Sequence, residues 1–271
     1  MSLPNTHYGT EYISSLLDGK KKIFFAGIGG VSMCSLAHIT HLRGHEVCGY
    51  DRTPSKSTKA LEDEGIAVYY ESDADHMKDV DLLVYTVAIP ADNEEYAYAG
   101  ENSVPCVSRA DYLGYLMSGY EKRIGVSGMH GKSTTTSMLS HIFSTAGLDP
   151  TVSCGAVMLD EGNAYRIGGN EFFIFEACEY MDSFLDFYPT TAIVLNIEMD
   201  HVDYFKSMAQ IETSFGKFVR RCGADGTAVV NAGDANVMRA VTGFEGHTVT
   251  FGSDCTEADY SASDVSFRRG C

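Results

Sequence analysis

No apolar stretch of this 271-residue chain approaches the ~20 residues needed to cross a bilayer. The opening MSLPNTHYG also lacks the basic start and apolar core of a signal peptide. Neither membrane insertion nor secretion is expected, and the first three residues, which resemble a cloning leader, carry no argument. Basic residues are scarce: 20 Lys and Arg face 37 Asp and Glu, for a net charge of -17. That field repels nucleic acid and anionic membranes, so neither is an expected partner. An anionic ligand would need local compensation from glycine turns, helix N-termini, a lysine or a metal. No C-x-x-C pair occurs among the eight cysteines, several of which lie inside apolar runs. They read as reduced core thiols of a cytoplasmic protein. Internal repeats and low-complexity tracts are missing too.

What is present is enough apolar material, 44% of the residues, for two domains of ordinary size. KKIFFAGIGG (21–30) is an apolar run ending in glycines, and the next segment has helical spacing at Met33, Leu36, Ala37, Ile39 and Leu42. HEVCGYD (45–51), IAVYY (66–70), DLLVYTVAI (81–89) and VPCVS (104–108) continue as buried strands, with STKALEDEG and RADYLGYLMSG as helices. A second series follows: KRIGVSG, the helix STTTSMLSHIFSTAG, and the strands EFFIFEACE (171–179) and TAIVLNIE (191–198). The helix SMAQIETSFGKFVRRC, the strands TAVVN and HTVTFG, and the short helix DANVMRAVTG between them complete it. This alternation predicts an α/β protein with parallel sheets, divided into residues 1–118 and 119–271.

Each half opens on a glycine turn between a strand and a helix. In the first, Gly27, Gly29 and Gly30 would bring backbone N–H groups to a phosphate at the positive end of a helix. A dinucleotide fingerprint needs a third glycine at position 32, which is Ser32; Asp51 stands where a ribose-binding acid is expected. Nucleotide or sugar-nucleotide binding and a plain packing turn both remain open. The second turn, Gly128-Met129-His130-Gly131-Lys132-Ser133-Thr134, ends as a Walker phosphate loop does, although Val126 occupies its first glycine position. Its parts suit ATP: glycine amides for phosphate oxygens, Lys132 as a point charge, and the Ser133 hydroxyl for Mg²⁺. Two following strands end in acids or imidazole, Glu176 and Glu179 on one and Glu198, Asp200, His201 and Asp203 on the other. In parallel sheets ligands bind beyond such strand ends.

Gly27-Ile-Gly-Gly, Gly128-Met-His-Gly-Lys-Ser-Thr, Glu176-Ala-Cys-Glu-Tyr and Asn196-Ile-Glu-Met-Asp-His201 together resemble the Mur ligase family. Family members usually carry Thr where this chain has Met129 and Ser133, and Gly where it has Ser32. The resemblance implies a Rossmann-like, UDP-sugar-binding N-terminal domain. It also implies a P-loop ATPase-type α/β domain that is incomplete at Cys271, and a third domain lying outside the chain. The implied chemistry is ATP-dependent amide-bond synthesis: the γ-phosphoryl group passes to the carboxylate of UDP-N-acetylmuramate, and the amine of L-alanine attacks the acyl phosphate. It further implies that Gly128 to Thr134 bind ATP, with Lys132 on the β/γ-phosphates. Ser133 and Glu176 would bind one Mg²⁺, and His201 would join Glu176 at a second, making Lys132, Glu176 and His201 the catalytic set. UDP would meet Gly27, Gly29, Gly30 and Val31, with Asp51, Thr86 and Arg109 as further contacts. Since the family's closure domain is not in the sequence, little or no turnover is expected of these 271 residues. The rival readings are an NAD-linked oxidoreductase, another P-loop kinase or NTPase, and a truncated homologue that serves as a nucleotide-sugar binding module.

Overall fold

The strand β1 (Lys22–Ala26) is buried along almost its whole length, as a strand covered on both faces must be. It follows a short helix α1 (Thr10–Leu16) and leads through Gly27–Gly30 into α2 (Val31–Leu42). Then come β2 (Glu46–Tyr50), α3 (Lys56–Asp63), β3 (Ala67–Tyr69), β4 (Leu82–Tyr85), α4 (Glu94–Glu101), β5 (Cys106–Ser108) and α5 (Arg109–Met117). These strands form one parallel sheet in the order β3-β2-β1-β4-β5. The chain reverses direction across the sheet between β1 and β4, and such switch points open a crevice for ligands. Serine and asparagine caps start the flanking helices: Ser55 and Thr58 exchange hydrogen bonds at α3, and Asn93 Oδ1 accepts the Tyr96 amide at 2.9 Å on α4.

The computed structural model describes residues 3–90 and 92–266. It separates into two compact units, Met1–Gly119 with Thr151–Asn170, and Tyr120–Pro150 with Glu171–Cys271. The inserted piece carries the antiparallel pair β7 (Thr151–Ser153) and β8 (Tyr165–Arg166). The phenol of Tyr165 on β8 lies 3.2 Å from His38 Nδ1 on α2, a link within the first unit.

The second unit contains β6 (Lys122–Ser127), α6 (Lys132–Thr145), β9 (Phe172–Glu176), β10 (Thr191–Val194), α7 (Met208–Arg220), β11 (Thr227–Asn231), α8 (Ala235–Ala240), β12 (His247–Ser253) and β13 (Tyr260–Ala262). Within it the strands run parallel in the order β13-β12-β11-β10-β6-β9. β6 therefore lies between β9 and β10, which places their exits on either side of the glycine loop that follows it.

Several expected strands end early. β4 stops at Tyr85, where Thr86–Pro90 closes a local turn with the Ile89 N–H on the Thr86 carbonyl, and β10 at Val194, because Leu195–Ile197 turns aside to the loop described below. Leu42, expected on the buried stripe of α2, is 59% exposed because it closes the helix beside the Gly44 turn. Among the described residues seven cysteines are free thiols, and burial pushes those of Cys48 and Cys106 up to about 11, leaving them weakly nucleophilic. Cys271 lies outside the described residues.

One packing prediction arises here. Gly49 on β2 pairs with Phe25, and a Cβ at Gly49 would run into the Phe25 carbonyl oxygen while lying 2.8 Å from Ile28 Cδ1. Gly49→Ala is expected to cost about 3 kcal/mol by forcing the central strands apart. Urea unfolding checks this by a lower midpoint at unchanged slope.

Candidate functional site

A cavity of about 460 Å³ opens beyond the carboxyl ends of β1, β2 and β4, lined among others by Gly27, Gly30, Val31, Asp51, Thr86 and Arg109. The sequence-predicted residues Gly27, Gly30, Val31, Asp51, Thr86 and Arg109 thus share one place, and Gly29 sits against Asp51. The glycine amides, however, are engaged by the chain itself. Gly27 N–H and Ile28 N–H donate to the Tyr50 carbonyl at 2.7 and 2.9 Å, and Gly30 N–H donates to Gly27 at 3.1 Å. Gly29 N–H donates to Asp51 Oδ2 at 2.9 Å, while the other Asp51 oxygen accepts from Thr53 N–H at 3.2 Å. The glycines therefore serve close approach: a Cβ on Gly29 would lie 2.7 Å from Thr58 Cγ2 and 2.8 Å from Asp51 Oδ2. An anion in this cavity would instead meet the first-turn amides of α2, which have no intrahelical partners, and Arg109. Arg109 Nη1 donates to Ser32 Oγ at 3.1 Å, so the serine that breaks the dinucleotide fingerprint orients the guanidinium.

The second site is built around the exit of β6. Gly128 has φ 140° and Gly131, the residue before α6, has φ 85°, so both glycines take conformations that L side chains rarely adopt. A cavity of about 300 Å³ is lined by Met129 to Thr134 and Glu176. Lys132 opens α6 and folds back, its Nζ donating to the Gly128 carbonyl at 2.6 Å. The same ammonium lies 3.0 Å from Glu179 Oε2; the Lys132 side chain is 13% exposed and that of Glu179 is fully buried. Ser133 Oγ donates to Glu176 Oε2 at 2.8 Å, because the register Val126↔Glu176 sets the end of β9 beside the loop.

His201 adopts φ 48°, and its Nε2 lies 3.1 Å from Glu179 Oε1. Glu179 therefore bridges the lysine and the imidazole. The Tyr180 ring lies 4.8 Å from that of His201, and its hydroxyl donates to Asp203 at 2.7 Å. That hydrogen bond holds the Asp203 carboxyl below its usual range and raises the Tyr180 phenol. Burial, with a hydrogen bond to Asp182, pushes Tyr204 up to about 12. Ser133 and Glu176 form one pair, and His201 joins the cluster of Glu179 and Lys132. Among the described residues no group of three or more His, Cys, Asp or Glu is gathered for a metal. A hydroxyl and a carboxylate 2.8 Å apart on a phosphate-sized cavity are the hard oxygen donors that Mg²⁺ takes, so this pair fits such an ion.

Two residues gained weight from the structure. Glu179 was one acid among several at the strand ends, and only its burial between Lys132 and His201 singles it out. Asn196, which carried no expected role, grips the phosphate loop through its side chain.

The chain is similar to known proteins over most of its length. The family model described as "Mur ligase family, catalytic domain" matches residues 22–121, and "Mur ligase middle domain" matches residues 126–271. The chain is 42% identical over 255 residues to a UDP-N-acetylmuramate--L-alanine ligase of Clostridium novyi, covering 94% of this chain and 55% of that protein. It is 43% identical over 256 residues to the protein of the same name in Caldanaerobacter subterraneus, with the same coverage. The chain thus spans about half the length of the curated relatives it matches. Among solved structures it is similar to the UDP-N-acetylmuramate-alanine ligase of Thermotoga maritima, with TM-score 0.76 at 29% identity over 89% of this chain and 54% of that one. It is also similar to a UDP-N-acetylmuramate:L-alanyl-gamma-D-glutamyl-meso-diaminopimelate ligase from Neisseria, with TM-score 0.78 at 29% identity over 86% of this chain and 78% of that one. Two matching models that between them reach from residue 22 to residue 271 establish the conclusion: the chain belongs to the Mur ligase family.

Proposed function

We propose that the protein takes part in the ATP-dependent joining of L-alanine to the carboxyl group of UDP-N-acetylmuramate, a step of cytoplasmic peptidoglycan precursor synthesis. The observation that carries this reading is the buried Lys132 at the head of a phosphate loop, beside the Ser133 and Glu176 pair. Close relatives bearing that ligase name supply the substrates.

A carboxylate attacks a polyanionic phosphate poorly unless negative charge is neutralised as it develops. Lys132 is the group to do so, by moving from Glu179 to the β/γ-phosphates and leaving Glu179 with the imidazole of His201. Ser133 and Glu176 would hold Mg²⁺, which when bound would shield the phosphate oxygens; His201, for which the family resemblance implies a second ion with Glu176, lies on Glu179 instead. The first-turn amides of α6 face the phosphates. In the other unit the cavity at Arg109 takes the UDP portion. Its guanidinium provides the local positive charge that a chain of net charge -17 needs in order to hold a diphosphate.

Calorimetric titration tests this reading. Saturable binding of UDP-N-acetylmuramate is expected, and separately of a non-hydrolysable ATP analogue with Mg²⁺. Arg109→Ala should weaken the first about tenfold or more, as loss of a charge-assisted contact does, and leave the second unchanged. No heat with the UDP sugar, or tight binding of NADH in its place, would contradict the reading. Alanine-dependent phosphate release reports turnover; binding at both sites without it would make the chain a nucleotide-sugar binding module.

A further inference from the structure

Asn196 stands two residues beyond β10, whose last residue, Val194, pairs with Ser127 at the end of β6. Its side-chain amide spans the backbone of His130: Oδ1 accepts the His130 N–H at 2.8 Å, and Nδ2 donates to the His130 carbonyl at 2.9 Å. The Asn196 main-chain carbonyl accepts the Met129 N–H at 3.2 Å. Three hydrogen bonds thus fasten the middle of the phosphate loop to the exit of the neighbouring strand. That exit is itself braced. Asn231 Nδ2 donates to the Leu195 carbonyl at 3.1 Å, and Asn236 Nδ2 donates to that of Ile197 at 2.7 Å. Asp234, which caps α8, accepts the Ile197 N–H at 2.9 Å.

This arrangement divides the loop's amides. Those of Met129 and His130 are committed to Asn196, which leaves phosphate contacts to the turn at Gly131 and the first turn of α6. A carboxamide is the side chain that can mate a peptide's donor and acceptor together; a carboxylate offers acceptors alone. Gly128 also lies tight against the same segment, since a Cβ there would sit 3.0 Å from Leu195 Cβ and 3.3 Å from the Asn196 amide nitrogen.

From this geometry we infer that Asn196 is a positioning residue of the nucleotide site, fixing the phosphate loop before the ligand arrives. The inference rests on the nucleotide reading proposed above. Asn196 acts through the loop and not on the reacting atoms. A preformed seat spares the ligand the entropic cost of ordering residues 128–131.

The test uses the full chain with two variants, Asn196→Ala and Asn196→Asp, and two readouts. Amide hydrogen exchange without ligand should show Met129 and His130 protected in the parent chain and His130, whose acceptor is the Asn196 side chain, fast-exchanging in Asn196→Ala, while the β6–β10 ladder keeps its protection. Binding of a non-hydrolysable ATP analogue with Mg²⁺ should weaken about tenfold or more, the effect of losing two hydrogen bonds. Asn196→Asp keeps the acceptor of the His130 N–H and loses the donor to its carbonyl, so it should leave His130 exchange slow yet weaken binding, and it supplies the binding readout should the alanine variant fail to fold. Parent-like affinity in a folded variant, or unchanged exchange at His130 in Asn196→Ala, would overturn the inference. If the parent chain binds no nucleotide, the nucleotide reading fails, and the exchange result still decides whether Asn196 fixes the loop.

Discussion

Lys132→Met is expected to weaken binding of an ATP analogue about a hundredfold, since one ammonium serves the phosphates and hydrogen bonds to charged groups are the strong ones. The same change should lower stability by about 3 kcal/mol, because removing one partner of a buried ion pair strands the other charge. Glu179 is fully buried and would be left with His201 alone. The two effects separate in combination. Lys132→Met with Glu179→Gln should recover most of the stability, as both charges are gone, and none of the affinity. Glu179→Gln alone should leave nucleotide binding intact or tighter, because the ammonium no longer has to leave a buried carboxylate. Denaturant unfolding and calorimetry on the four proteins check each arm. A Lys132→Met chain that binds the analogue like the parent would remove the lysine from the site.

Gly27→Ala should cost the first unit about 2–3 kcal/mol and reduce UDP-N-acetylmuramate binding at least tenfold, by strain at a left-handed position and overpacking together. Gly27 has φ 86°, and a Cβ there would lie 2.6 Å from Thr86 Cγ2. Thr86 lines the cavity, so relief of that clash reshapes the proposed uridine nucleotide seat itself. Binding of the ATP analogue should be unchanged. Parallel titration of the two ligands measures this; a Gly27→Ala chain with parent-like UDP-sugar affinity would show that the cavity beyond β1 is not that seat.

The strands that carry both sites were legible because each is a short apolar run, buried on both faces, between turn residues. β1, β6 and β9 lie inside the runs read from the sequence, and the two glycine turns fall where expected. The strand ends were less legible. Thr86–Pro90 and Leu195–Ile197 have strand-like composition, yet the first closes a local turn, with the Ile89 N–H on the Thr86 carbonyl, and the second gives its backbone groups to distant residues, such as the Ile197 N–H to Asp234. Residues 151–170 gave little signal, since β7 and β8 are 3 and 2 residues long and the intervening Leu159 is 96% exposed. The partners of Lys132 and His201 could not be read along the chain. They follow from registers, Val126↔Glu176 on one side of β6 and Val194↔Ser127 on the other, which bring Glu179 and Asn196 to a loop some 50 to 65 residues away. The sequence left the first glycine turn open between phosphate binding and packing, because the acceptors of its amides, Tyr50 and Asp51 on β2 and the loop after it, lie some 20 residues away.

The most direct measurement is a crystal structure of the chain with a non-hydrolysable ATP analogue and Mn²⁺, located by its anomalous signal. The expected result has the phosphates at the first-turn amides of α6, the Lys132 ammonium moved from Glu179 onto them, and the ion on Ser133 and Glu176. A nucleotide bound elsewhere, or Lys132 still seated on Glu179 beside an ordered triphosphate, would contradict it.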